Sequence, residues 1–406
     1  MKVFFRRIHL YLSLAAGLVI LLCCLTGAIL VFEKDLQMAM NKKRYYVETG
    51  AGKLSVDSLV KKVTQSFPGA KVNGIKLYSE RDRSAEISVA FPPKKEGKKQ
   101  QQKGAAQESK PINANPQPPQ RQPGFTIFIN PYTGKVLEKY SYRETGFYQV
   151  FAMHRWLLGG EGSVGKYIVG VSTFIFLFIL ITGIVLWWPK TKRILQKRLK
   201  VKWNANWKRV NHDLHMVFGF YSAIFLFIFA FTGLAWSFEW FNKGIYAVTS
   251  SPIKAPAPPK SVYHASSKHI SFDTALTIAK TIYTGVEFYT ISMPKDSTEA
   301  VNITALGKDA AHESATDAIY LDQYSGALLG KLAYKDRSLG ARVRSTFKPV
   351  HTGSIWGLPS KIVAFIVCLA GVSFPITGTI MWWNRTRKKK KNRIMPVAQE
   401  VEELAG

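Results

Sequence analysis

The chain has 406 residues, 47% hydrophobic, with 56 Lys and Arg against 26 Asp and Glu for a formal net charge of +30. Its apolar residues are clumped into four uncharged stretches, 10–32, 167–188, 216–238 and 362–384, which excludes one soluble core as the organising principle. The basic residues crowd the segments beside those stretches, so the charge is explained without a nucleic-acid partner.

In chain order, residues 1–33 form the first predicted membrane helix. Lys2, Arg6 and Arg7 precede it as they would a secretory signal. The apolar run is too long for such a signal, and "GAILVFEKD" offers no small-residue cleavage site. Residues 34–150 predict an α+β domain. "LSVDSLVKKV" is an amphipathic helix with a Ser cap, followed by alternating strand-like runs. Within this domain, 92–124 is rich in Lys, Gln and Pro and is expected to be a flexible loop. Residues 151–189 hold a short segment with His154 and the second membrane helix, which ends "ITGIVLWWP". A basic loop follows at 190–213, then the third membrane helix at 214–240.

A second α+β domain is predicted over 241–346. Its "ISFDTALTIAK" reads against the first domain's helix, and "AIYLDQYSGALLGKLAY" against "TIFINPYTGKVLEKYSY". Residues 347–384 carry His351 and the fourth helix, ending "ITGTIMWWN", and 385–406 form a basic tail. The expected architecture is therefore a four-helix membrane bundle with two α+β domains on one side, built by an internal duplication. The positive-inside rule places both termini and 190–213 in the cytoplasm and both domains outside it. The three cysteines, Cys23, Cys24 and Cys368, all fall within helices and read as small apolar filler.

The histidines share one spacing. His9 precedes Thr26-Gly27 as His215 precedes Thr232-Gly233, and eighteen residues from His to Gly put both on one helix face, about 27 Å apart. His154 and His351 stand just before the second and fourth helices, whose Thr182-Gly183 and Thr377-Gly378 fall near the opposite end. One membrane edge is then expected to hold His9 and His215 with Gly183 and Gly378, and the other His154 and His351 with Gly27 and Gly233. Two stacked His pairs are what two bis-imidazole haems require, with the glycines letting a macrocycle approach. No CxxCH is present, so the haem would be b-type, two per chain. His212 is an alternative to His215, but its counterpart in the first helix is Arg6, which favours His215. Arg6, Arg7, Arg209, Arg155, Arg342 and Arg344 are candidate propionate partners, and His264, His269 and His312 are expected at the surface.

The stretches "RRIHLYLSLAAGLVILLCCLTGAIL", "FAMHRWLLGG", "HDLHMVFGFYS", "VHTGSIWG" and the "TGIVLWW" endings, in order over nearly the whole chain, resemble the bacterial PepSY-associated transmembrane-helix family. That family includes iron-regulated membrane proteins and dihaem ferrisiderophore reductases. The resemblance implies PepSY-like external domains, haem ligation at His9, His154, His215 and His351, and an inner-membrane location. It further implies electron transfer to a periplasmic ferric siderophore or other ferric chelate. No GxGxxG follows a strand, so a separate cytoplasmic or membrane electron donor is expected. The competing class is a non-redox membrane protein whose external domains bind peptide or envelope partners.

Overall fold

The fold is given by a computed structural model that describes residues 2–91, 124–263 and 268–404, with side-chain surroundings through 387. His264 and nearly all of the 92–124 loop lie outside the described residues. Helix α1 (Lys2–Val31) leads into α2 (Glu33–Met40), α3 (Lys42–Tyr45) and α4 (Val56–Ser66). Strands β1 (Lys71–Tyr78), β2 (Ala85–Ala90), β3 (Phe125–Ile129) and β4 (Val136–Tyr140) follow, then α5 (Gly146–Trp156), α6 (Val164–Trp187) and α7 (Lys192–Arg198). After α8 (Trp207–Ser237), α9 (Glu239–Val248) and α10 (Phe272–Ile282) come β5 (Val286–Ser292), β6 (Val301–Gly307), β7 (Asp317–Leu321) and β8 (Leu328–Leu332). Helices α11 (Leu339–His351) and α12 (Leu358–Leu404) close the chain.

Helices α1, α6, α8 and the Leu358–Arg387 part of α12 are long and apolar enough to cross a membrane, and the protein is a multi-pass membrane protein. They pack in a ring in which α1 touches α6 and α12, and α8 touches the same two. Thus α1 faces α8 across the bundle. Ala16, Ile20, Cys24, Phe176, Leu226, Leu234 and Val367 fill the interior. Leu18, Ile181, Ile224 and Ile366 stay exposed on the outside, where lipid covers them.

Two helix boundaries depart from the sequence expectation. Helix α8 begins at Trp207, well before the apolar run, because the Asn206 side chain accepts the Arg209 N–H and caps it there. The predicted 190–213 loop is therefore partly helical, and α7 lies within it. Helix α12 likewise continues through the basic tail to Leu404. Apolar runs mark where a helix meets lipid, not where it ends.

The two expected α+β domains form one sheet. Its eight strands run β4-β3-β2-β1-β5-β6-β7-β8, all antiparallel neighbours, with β1 joined to β5 through Ile75 opposite Ile291. The correction has a simple cause: each half leaves its first strand as an unpaired edge, and pairing the two edges satisfies both. Helices α4 and α10 cover one face, packing Leu59, Val63, Ala275 and Ala279 onto Ile75, Ile87, Ile291 and Ile303. Their N-termini are capped reciprocally. Asp273 accepts the N–H groups of Val56 and Asp57, and Asp57 accepts those of Phe272 and Asp273.

Candidate cofactor-binding site

Helix α1 carries His9 near its start and α8 carries His215, on opposite sides of the bundle. Their ring centres lie 6.5 Å apart. At the sheet side, α5 packs on α1 and α6 and carries His154, while α11 packs on α8 and ends at His351. Those two ring centres are 6.1 Å apart. The four histidines are thus brought together as two pairs, one at each end of the helical bundle.

Each imidazole leans on a neighbouring helix at a Thr-Gly step. His9 Nδ1 lies 3.0 Å from Thr182 Oγ1 and 3.1 Å from the Ile179 carbonyl. His154 Nδ1 lies 3.0 Å from Thr26 Oγ1 and 3.1 Å from the Cys23 carbonyl. His351 Nδ1 meets Thr232 Oγ1 at 3.1 Å and the Phe229 carbonyl at 2.9 Å, and His215 Nδ1 meets Thr377 Oγ1 at 2.8 Å. The threonine protons are already spent on carbonyls one turn back: Leu22, Phe178, Ile228 and Ser373. Each hydroxyl can then only accept from the imidazole, as a carbonyl must. For His9, His154 and His351 the carbonyl can only accept, so Nδ1 carries the proton and Nε2 keeps its lone pair; His215 meets the Thr377 hydroxyl alone, which fits the same tautomer. An outer hydrogen bond that fixes the tautomer in this way is the usual preparation of a metal-binding histidine.

The glycines serve the imidazoles. A Cβ on Gly183 would sit 3.3 Å from His9 Cε1, and one on Gly233 3.2 Å from His351 Cε1. The corresponding approaches are 3.5 Å for Gly27 to His154 and 3.4 Å for Gly378 to His215. The sequence reading assigned the bare backbone to a macrocycle; the contact the four glycines make among the described residues is with the edge of an imidazole. At Gly183 and Gly233 an added Cβ would press on the ring, whereas at Gly27 and Gly378 it would only touch it.

Residues 6–385 match the family model described as PepSY-associated TM region. The chain belongs to this family. A comparison with the curated proteins finds no match. In this PepSY-associated protein a cavity of about 1270 Å³ opens beside the His9 pair, walled by Arg6, His9, Gly183, Trp187, His215 and Gly378. Trp187 stacks on Phe220 at 3.8 Å, and its indole N–H is buried without a partner among the described residues. Lys208, Arg385 and Arg387 also reach this wall. Arg209 is instead paired with Asp213 at 2.8 Å. His212 borders the cavity too, but its side chain is half exposed and leans on Asp213, so His215 is the better-held ring.

At the other end, His154 and His351 are partly buried. Burial pushes both imidazoles down to about 4; His351 lowers His154 further, and the Arg155 charge lowers both. Trp236 stands 5.4 Å from His351, and Arg344 lies over that indole while bonding Asn242 at 2.7 Å. Arg342 has its Nε buried without a partner among the described residues. His269 is exposed against Tyr324, as expected. His312 is buried, contrary to the surface reading: its Nδ1 accepts the Ser314 N–H and Nε2 meets Tyr334 Oη at 3.0 Å. Both of its nitrogens are used, so it is structural. Cys23, Cys24 and Cys368 are free thiols within the bundle.

Among the described residues no cluster of three or more His, Cys, Asp or Glu could hold a metal ion. A four-coordinate zinc would find only two ligands in either pair. A metal that arrives with its own ligand set, as haem iron does, would need only two more, and either histidine pair could supply them. Two metal–imidazole bonds of ~2.0 Å put ring centres roughly 6 Å apart, the separation of both pairs.

Proposed function

We propose that this membrane protein is a b-type dihaem oxidoreductase that moves electrons across the bacterial inner membrane and reduces a periplasmic ferric chelate, with ferric siderophores as the acceptor class. The observation that carries the reading is the anchoring of Nδ1 in all four imidazoles, on a Thr hydroxyl and a carbonyl in three and on Thr377 alone in His215, with the rings gathered into two pairs 6.5 and 6.1 Å apart. His9 and His215 would hold one haem, and His154 and His351 the other. When bound, haem supplies one-electron chemistry between ferric and ferrous iron.

The chain's own residues do the remainder. Threonines and glycines fix the imidazole orientation, and the apolar interior of Ile20, Leu226, Leu234 and Val367 keeps water and ions out of the path. The basic segments around residues 190–213 and 385–406 suit the cytoplasmic side, where a separate donor docks. The sheet then faces the periplasm. One electron delivered to a bound ferric chelate yields the more weakly held ferrous ion and asks no nucleophile or acid-base pair of the protein.

The test is the visible spectrum of the detergent-purified protein. A low-spin b-type spectrum with about two haems per chain is expected. His9→Ala or His215→Ala should remove one haem, and the double variant no more than one. Full haem content in all four single histidine variants overturns the assignment.

A further inference from the structure

Between the sheet and the adjacent end of the bundle lies a second cavity, of about 400 Å³. Lys34 on α2, Lys76 on β1, Glu287 on β5, Lys308 and Glu313 after β6, and Lys348 on α11 all line it. Four ammonium groups thus meet two carboxylates, yet none of the four lysines forms a salt bridge among the described residues. Lysines on an open face are usually just solvated. Lys76 is different, because it is half-buried with its ammonium 3.9 Å from the Phe288 ring centre and 4.7 Å from that of Tyr78. Burial lowers its pKa against the opposing pull of Glu86, and Lys34 adds to the lowering. An ammonium half-buried in a concave wall and in no direct salt bridge among the described residues, with more lysines than carboxylates around it, can take an anion.

The cavity also reaches the segment that carries His351. Lys348 precedes His351 by three residues on α11, and Ile355, four residues beyond it, lines the same wall. Ser354 donates to the Glu313 carboxylate at 3.2 Å, tying the loop after β6 to the turn that follows His351. We infer that this cavity is the acceptor site, and that it selects compact, carboxylate-rich anionic metal chelates through Lys34, Lys76, Lys308 and Lys348. The inference rests on the reading of the protein as a ferric-chelate reductase and adds the charge class of its substrate. A cavity of this volume lies at the small end of ligand pockets, which suits a polycarboxylate better than a bulky macrocyclic chelate.

Gallium(III) citrate, a redox-inert mimic of ferric citrate, isolates binding from electron transfer. Its affinity for the purified full-length protein is measured by calorimetry at two salt concentrations. Lys34→Gln/Lys308→Gln/Lys348→Gln changes only exposed side chains and should weaken binding at least about tenfold. Glu287→Gln/Glu313→Gln should strengthen it, a gain that misfolding does not produce. Unchanged affinity in the lysine variant, or equal binding of an uncharged gallium trihydroxamate, overturns the inference. Citrate binding by a protein without a haem spectrum leaves the cavity assignment standing and removes the reductase reading. Ferric reduction indifferent to the lysines does the reverse.

Discussion

A threonine hydroxyl inside a membrane helix normally closes on its own backbone, and all four threonines of the site do so while still accepting from an imidazole. Thr377→Val keeps the side-chain shape and removes the acceptor from His215, which has no carbonyl partner among the described residues. We expect ~10–100-fold weaker cofactor retention at the His9 pair, with the His154 pair unaffected, read from haem stoichiometry on titration. Thr173→Val is the control, because its hydroxyl closes on the Val169 carbonyl and meets no imidazole. Gly233→Val should act differently, forcing the His351 ring off its helix and lowering occupancy of the sheet-side pair alone. The His-to-Gly spacing made these positions legible in the sequence, because eighteen residues close five helical turns. The task of the glycine was not legible. Spacing tells which residues share a face, but not which atom of a neighbouring helix arrives there. His312 was misread for the same reason, since its burial depends on Tyr334, 22 residues away.

At the scale of elements, the Ser-x-Asp starts of α4 and α10 read correctly as caps: Ser55 accepts the Ser58 N–H and Ser271 that of Thr274. The aspartates do something no local rule contains, each capping the other helix across the seam between the sheet halves. Asp273→Ala strips the partners from Val56 and Asp57 and should cost about 1–2 kcal/mol in chemical unfolding of the sheet layer. Burial works against the Asp273 charge, but hydrogen bonds from Asp57 and Val56 outweigh it and lower its pKa. A lowered folded value contributes stability that is complete above the unfolded carboxylate range and lost as pH falls through the folded value. Unfolding midpoints measured from neutral to acid pH should therefore fall more steeply in the wild type than in Asp273→Ala. Strand alternation was readable from sequence, but the union of the two halves was not. Edge pairing between segments 200 residues apart leaves no periodic trace.

For the whole molecule, charge placement predicts a topology that labelling can test. Ser79 and Ser297 are exposed on the sheet layer, and the native cysteines all lie in the membrane helices. Single cysteines at either serine should react with an impermeant maleimide in spheroplasts, whereas one at Lys200 should react only after lysis. Protection of Ser79→Cys or Ser297→Cys contradicts a periplasmic sheet. On the proposed dihaem function, dithionite-reduced protein should be reoxidised anaerobically by ferric chelates with matching ferrous release. That release should be lost in His154→Ala or His351→Ala. Reoxidation by other acceptors but by no ferric chelate would keep the haem reading and reject the acceptor.

The seam between β1 and β5 also has a consequence for how the protein is made. Strand β1 ends at Tyr78 and its partner begins at Val286, so 208 residues must be synthesised before that edge is covered. At ~5–20 residues per second the wait is on the order of 10–40 s, during which β1 offers a free row of backbone donors and acceptors. Two of the four membrane helices are inserted in that interval. The nascent first half is therefore the stage most open to mispairing with another copy, and slowing translation between the halves should raise aggregation more than slowing it after β8.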